Sequence, residues 1–267
     1  MNKKVLITGA SKGIGRATAA EMIQKGYTVF GTCRNPDAVP DKIPGVHYIQ
    51  LELCNEDSIR RCASEVGHID ILINNAGQSQ IGSAEETSIA DYKEMFQVNF
   101  FGMVQLTSLL IPSMRQQNHG RIINIGSLMA SFPIAYYSSY SSTKAATQAY
   151  SFALNMELRP FGIYVSLVEP NDVRTSIVPR LIERENSPYS PFLKLLSKRV
   201  NENMQKAGDA SNIAMQIIRV IEKTEPLPYY TIGTSSKILL FAKRFVTQHF
   251  VNKNVYKQYG LADISIG

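Results

Sequence analysis

A short apolar run, Val5-Leu6-Ile7-Thr8, leads directly into Gly9-Ala10-Ser11-Lys12-Gly13-Ile14-Gly15, after which helical apolar spacing continues to Lys25 and stops at Gly26. A strand, a glycine-rich turn and a helix in that order form the opening of a βαβ unit. Because the strand is apolar at every position rather than at alternate ones, it reads as a strand buried on both faces. The same alternation repeats down the chain. Strands are expected at Tyr27–Cys33, Val46–Leu51, Ile69–Asn74, Arg121–Ile125, Ile163–Val168 and Tyr229–Gly233. A helix begins near Asn55, and long helical stretches cover about 88–116 and 137–160. The pattern predicts an α/β fold: one doubly wound parallel sheet of about seven strands with helices on both faces, formed by residues 1–267 as a single domain.

Two regions depart from the alternation. Between 175 and 208, Pro179, Pro188 and Pro191 interrupt an amphipathic stretch directly after the sixth strand. Ligands in open sheets bind at the carboxyl ends of strands, so this segment is expected to act as a lid. From 236 to 260 an amphipathic extension interleaves Ile238, Leu239, Leu240, Phe241, Phe245, Val246, Phe250, Val251 and Val255 with Lys237, Lys243, Arg244, Lys253 and Lys257, and carries no acid. The net charge is +6, and these five cations account for all but +1 of it. The excess is local, which argues against a nucleic-acid-binding domain. The extension either packs over the substrate pocket or a partner subunit, the reading preferred here, or rests on anionic lipid as a peripheral membrane contact.

Cys33, Cys54 and Cys62 form no CxxC pair and read as reduced thiols, from which a cytoplasmic protein is expected. His47, His68, His119 and His249 are isolated, and no metal site is expected. No run of 18 apolar residues suggests a transmembrane helix.

Gly9, Gly13 and Gly15 would let the backbone turn tightly against a pyrophosphate, while the following helix N-terminus supplies N–H donors and partial positive charge. In an NAD site an acidic residue at the end of the second strand holds the ribose 2′-hydroxyl. Here that place reads Cys33-Arg34. Arg34, with Lys12 in the loop, suits a 2′-phosphate instead, which points to NADP(H). Tyr140 and Lys144 stand one helical turn apart, thirteen residues after Ser127. A free tyrosine titrates near pH 10, and a neighbouring ammonium is expected to lower that value. Ser127 follows a strand end and can hold a substrate oxygen as charge develops on it. Phe132, Pro133, Ile134, Tyr136 and Tyr137 suggest an apolar pocket around it.

These pieces resemble the short-chain dehydrogenases/reductases over nearly the whole chain. The matching segments are Thr8–Gly15, Asn74-Asn75-Ala76-Gly77, Asn99, Ser127, Tyr140-Ser141-Ser142-Thr143-Lys144 and Glu169-Pro170 to Thr175. The resemblance implies a Rossmann-type fold, a nicotinamide cofactor, and a Ser127–Tyr140–Lys144 site in which Asn99 holds a water linking Lys144 to solvent. It also implies cofactor contacts from Gly9, Ser11, Lys12, Gly13, Ile14, Gly15, Arg34, Asn75, Ala76, Gly77, Tyr140, Lys144, Pro170, Val173 and Thr175. Glu52-Leu53 stands where the family has Asp-Val or Asp-Leu near the adenine, and Pro170-Asn171 replaces its usual Pro-Gly. Homodimers or homotetramers through the two long helices follow by analogy. The 160s segment and the tail look most like the 17β-hydroxysteroid and retinol dehydrogenase branch, while Asn74–Ser79 is similar to acyl-dihydroxyacetone-phosphate reductases. The expected reaction interconverts a carbonyl and an alcohol on a bulky apolar substrate, hydroxysteroid- or retinoid-like. An acyl-lipid ketone or 3-oxoacyl chain is the alternative, with Arg180, Arg184 and Lys194 available if that substrate carries a free phosphate. A non-catalytic NADP(H)-sensing regulator is a third reading.

Overall fold

A computed structural model describes residues 2–170, 178–206 and 208–263. Seven parallel strands form the central sheet: β1 Lys4–Ile7, β2 Thr28–Cys33, β3 Val46–Gln50, β4 Ile71–Asn74, β6 Gly120–Ile125, β7 Ile163–Pro170 and β9 Tyr229–Ile232. Their spatial order is β3-β2-β1-β4-β6-β7-β9, so the chain reverses direction across the sheet between β3 and β4. Each of the seven expected strands is present.

The sheet is buried on both sides because its side chains alternate between two layers. Val5 and Ile7 of β1 pack with α1 (Gly13–Gln24) and α7 (Ala210–Ile221) on one face. Leu6, between them, packs on the other face with α2 (Glu56–Val66), α4 (Gly102–Gln116) and α5 (Ser138–Leu158). Asn55 caps α2, its Oδ1 accepting from Ser58 N at 2.9 Å. A continuous helical path from α3 (Ile89–Phe96) to α4 passes through a π-turn at Gln97–Phe101. Residues Ile89–Gln116 are long and apolar enough to cross a membrane by length and composition. In this fold Met95, Leu106, Leu110 and Met114 are instead buried in the protein.

A two-stranded parallel ladder, β5 (Gln80–Ile81) with β8 (Arg180–Leu181), ties the segment after β7 to the loop after β4. Arg180 reinforces it by pairing with Asp91 and, at 3.1 Å, with Glu94. From there α6 (Ser190–Lys206) buries Phe192, Leu193 and Leu196 in a third apolar cluster with Ile134 and Tyr137. The C-terminal extension is built from two helices, α8 (Thr234–Lys243) and α9 (Gln248–Gln258). Thr247 starts the second by accepting from Phe250 N at 3.3 Å.

Candidate active site

The first half of the site is a cleft of about 450 Å³ above β1, β2 and β4. Gly9 (φ +70°) and Gly13 (φ +57°) occupy left-handed backbone that favours glycine. A side chain at Gly15 would place its Cβ 2.3 Å from the Gly9 carbonyl oxygen, so only glycine lets α1 enter this close to β1. Asn75 locks the next loop onto the first: its N–H donates to Thr8 Oγ1 at 2.9 Å, and its Nδ2 donates to Thr8 O at 2.8 Å. Ala76 N–H shares the Thr8 hydroxyl at 2.9 Å. Gly9, Ser11, Lys12, Gly13, Ile14, Arg34, Glu52, Leu53, Asn75, Ala76 and Gly77, all expected from the sequence, line this cleft. Lys12 and Arg34 are exposed at its edge. The Glu52 carboxylate accepts from Cys54 N–H at 3.3 Å, and it therefore braces its own turn. The glycine cradle and the α1 N-terminus fit a pyrophosphate, and the cation pair fits a further phosphate.

The second half is an apolar cavity of about 580 Å³ that shares Ile14, Asn75, Gly77, Gln78 and Ser79 with the cleft. Ser127, Tyr140, Lys144 and Pro170 line it, so the expected reactive trio sits together next to the seam. Ser127 and Tyr140 share a hydrogen bond. Lys144 Nζ donates to Ile125 O at 2.9 Å and lies 5.8 Å from the centre of the Tyr140 ring. Burial raises Tyr140 above its ordinary value; the Ser127 hydrogen bond opposes this, and the charge of Glu169 adds to it. Burial pulls Lys144 down to about 8, with Glu169 opposing. The expected lowering of Tyr140 by Lys144 is therefore corrected: in this arrangement desolvation dominates and the phenol is held protonated.

Asn99 is buried in the π-turn, where its Oδ1 accepts from Gln78 N–H at 2.8 Å and its Nδ2 donates to Gln78 O at 2.9 Å and Thr143 Oγ1 at 3.2 Å. It thus fastens the seam loop to α5 one residue before Lys144. Its side chain makes these contacts rather than one to Lys144 itself. Val173 and Thr175, along with Asn171, lie outside the described residues. Of the expected pocket residues, Pro133 is exposed outside the cavity, and Phe132, Ile134 and Tyr137 line it. Tyr136 does not: its φ of +66° turns it toward Tyr189 and Phe192, with ring centres at 6.1 and 5.9 Å. Val200 and Met204 of α6 cover the cavity, and Leu239, Val246, Phe250 and Val251 of the extension line it. Of the lid cations, Arg180 is engaged by two acids and Lys194 lies 3.8 Å from Glu183.

Sequence reasoning also passed over a buried polar group beneath the site. Glu169 is fully buried and accepts from Tyr229 OH at 2.7 Å, with Gln148 Nε2 at 3.5 Å. These partners are separated by 60 and 21 residues, and no local pattern connects them. An acid at the end of an otherwise apolar strand was the available signal.

A parallel sheet with this order, a glycine cradle at its first strand and a Ser–Tyr–Lys cluster beside the cradle define a nicotinamide-dependent oxidoreductase. The family model of short chain dehydrogenase matches residues 3–186, and the chain belongs to that family. It is 33% identical over 248 residues to a 3-ketodihydrosphingosine reductase of Bacteroides thetaiotaomicron, covering 90% of each chain. Identity to the NADPH-dependent 1-acyldihydroxyacetone phosphate reductase of Schizosaccharomyces pombe is 33% over 213 residues, 74% of this chain and 72% of that one. Identity to human retinol dehydrogenase 8 is 29% over 252 residues, 84% and 79% of the two chains. A short-chain dehydrogenase from Streptomyces avermitilis superposes with a TM-score of 0.83 at 29% identity over 98% of both chains.

Proposed function

We propose that this oxidoreductase uses NADP(H) to interconvert a carbonyl and an alcohol on a bulky apolar substrate. The observation that carries this reading is the junction of the two cavities: a cleft edged by Lys12 and Arg34 opens beside Ser127, Tyr140 and Lys144 into an apolar chamber. NADPH, when bound, supplies the hydride. Ser127 and Tyr140 hold the carbonyl oxygen, and Tyr140, protonated by virtue of its burial, donates the proton. Lys144 contributes positive charge beside the developing alkoxide, and Asn99 positions the loop that separates the two chambers.

Among apolar substrates, a long-chain lipid ketone is favoured over the hydroxysteroid- or retinoid-like molecule that the sequence put first. Two of the relatives above are named a 3-ketodihydrosphingosine reductase and a 1-acyldihydroxyacetone phosphate reductase, and Phe250 lines the cavity while exposed to solvent, leaving room for a chain to extend. Of the three lid cations, Arg180 is paired with two acids, which leaves the exposed Arg184 and Lys194 as the groups for a phosphate on that substrate. The intact trio favours turnover over a purely sensing role. The test is a rate screen of ketones and alcohols, from 3-keto lipids to steroids and retinoids, with NADP(H) and NAD(H) in parallel. Faster turnover of steroids than of long-chain ketones would restore the first ordering, and equal use of both cofactors would remove the role given to Arg34.

The extension covers the chamber with Val251 and keeps Ile238, Phe241 and Phe245 exposed among its cations, which supports peripheral contact with anionic lipid as well. Flotation with vesicles containing phosphatidylglycerol tests this, and failure to co-float removes it. Exposed Phe101, Phe152 and Met156 on the two long helices support a homodimer or homotetramer, which sedimentation would measure. A cytoplasmic location, lid action by 178–206 and cofactor contacts from Val173 and Thr175 belong to the same proposal.

A further inference from the structure

Glu169 is the penultimate residue of β7, beneath the reactive residues. Its Cγ and Oε1 crowd Gly126 so closely that a Cβ there would lie 2.9 and 3.3 Å from them. Gly126 stands between Ile125, whose carbonyl accepts from Lys144 Nζ, and Ser127. Ammonium and carboxyl therefore converge on the same three-residue floor. Around the carboxyl, β9 contributes the Tyr229 hydroxyl at 2.7 Å, α5 contributes Gln148 together with the charge of Lys144, and α8 contributes the charge of Lys243. Lys243 is itself anchored to Ser131 O and stacked 5.1 Å from the Phe132 ring. Gln148 follows Lys144 by one turn on α5, so one helix face presents both to the floor.

We propose that Glu169 is a positioning residue for the Tyr140–Lys144 pair: a buried carboxyl, held by Tyr229 and Gln148, whose charge keeps Lys144 an ammonium and Tyr140 a phenol. The role rests on the catalytic reading above. Glu169 touches neither substrate nor cofactor in this scheme and acts through Lys144. Two opposing effects set its own state. Burial pushes it up to about 7, while the Tyr229 hydrogen bond and the two lysines hold it down. Its charge favours the protonated form of both Lys144 and Tyr140. The sign of the expected effect is therefore the same whichever of the two protons limits activity.

The test pairs a substrate-independent titration with a pH–rate profile. Lysine labelled with ¹³C at Cε, with the Lys144 resonance assigned by its loss in Lys144→Met, gives the Lys144 midpoint directly. In Glu169→Gln that midpoint should fall by about one pH unit or more. The alkaline limb of kcat/KM for carbonyl reduction should move to lower pH with it. Tyr229→Phe, which deletes only the hydroxyl donor, should move both in the same direction by less. An unmoved or raised Lys144 midpoint in Glu169→Gln overturns the proposal. Should that variant not fold, an unmoved midpoint in Tyr229→Phe does the same. Tyr140→Phe in the same assay separates the questions: if it turns over like wild type the catalytic reading fails, whatever Lys144 does.

Discussion

The two halves of the site are built by opposite means. The cofactor cleft is made of backbone: glycines that admit no side chain, Thr8 and Asn75 clasping adjacent loops, and a helix N-terminus, all emerging from the first four strands. The substrate chamber is made of side chains contributed by distant segments, with Val200, Met204, Leu239, Phe250, Val251 and Val255 of α6, α8 and α9 facing Leu128, Met129, Phe132, Ile134 and Tyr137. A backbone cradle recognises what every nicotinamide dinucleotide shares. An apolar wall can be rewritten residue by residue without disturbing it, so the chemistry and the substrate preference are separable properties of this molecule.

Variants can break that separation or sharpen it. Tyr140→Phe, at the junction, should lower kcat by about 10²- to 10⁴-fold through loss of the proton donor, with NADPH affinity by fluorescence titration changed little. Arg34→Glu, in the cleft alone, should lower kcat/KM with NADPH by about 10- to 100-fold through loss of a charge-assisted phosphate contact, leaving the substrate KM unaltered. Phe250→Asp, in the chamber wall alone, should do the reverse, raising KM for a long-chain ketone about 5- to 30-fold (about 1–2 kcal/mol) with NADPH binding intact. A change in both constants from either variant would show that the halves are coupled.

The smallest effect concerns stability. Glu169 in the fold titrates at about 7 against an ordinary 4.5, so the native state holds the proton more tightly. Its contribution is present in acid and is lost as pH rises from about 4.5 through 7. Lys144 is displaced in the other sense, from 10.5 to about 8, and stability recovers as pH rises across that interval. Glu169→Gln should flatten the acid-side fall, read as a change of a few degrees in the pH dependence of Tm between pH 5 and 7.

The division also explains what could be read in the sequence. The seven strands are short runs of β-branched and aliphatic residues bounded by turns, and each was visible locally. Ser127, Tyr140 and Lys144 lie within eighteen residues, and the glycine loop within seven, so their spacing carried them. The β5–β8 ladder was not legible, because two-residue strands have no periodicity and their partners are a hundred residues apart. The left-handed turn at Tyr136 occurs at a residue that rarely adopts it, and this sent the expected pocket aromatic to a different cluster. Glu169, Gln148 and Tyr229 meet only through the sheet order. The state of Tyr140 depended on burial, which a Tyr–Lys spacing alone does not reveal.

The most direct test is a single-turnover experiment with enzyme-bound NADPH and a long-chain 3-keto lipid, followed by cofactor absorbance for wild type and Tyr140→Phe. The account predicts that wild type oxidises one NADPH for each ketone reduced, while Tyr140→Phe binds NADPH with little change in affinity and loses the absorbance at least about a hundredfold more slowly. Equal rates in the two proteins would contradict it.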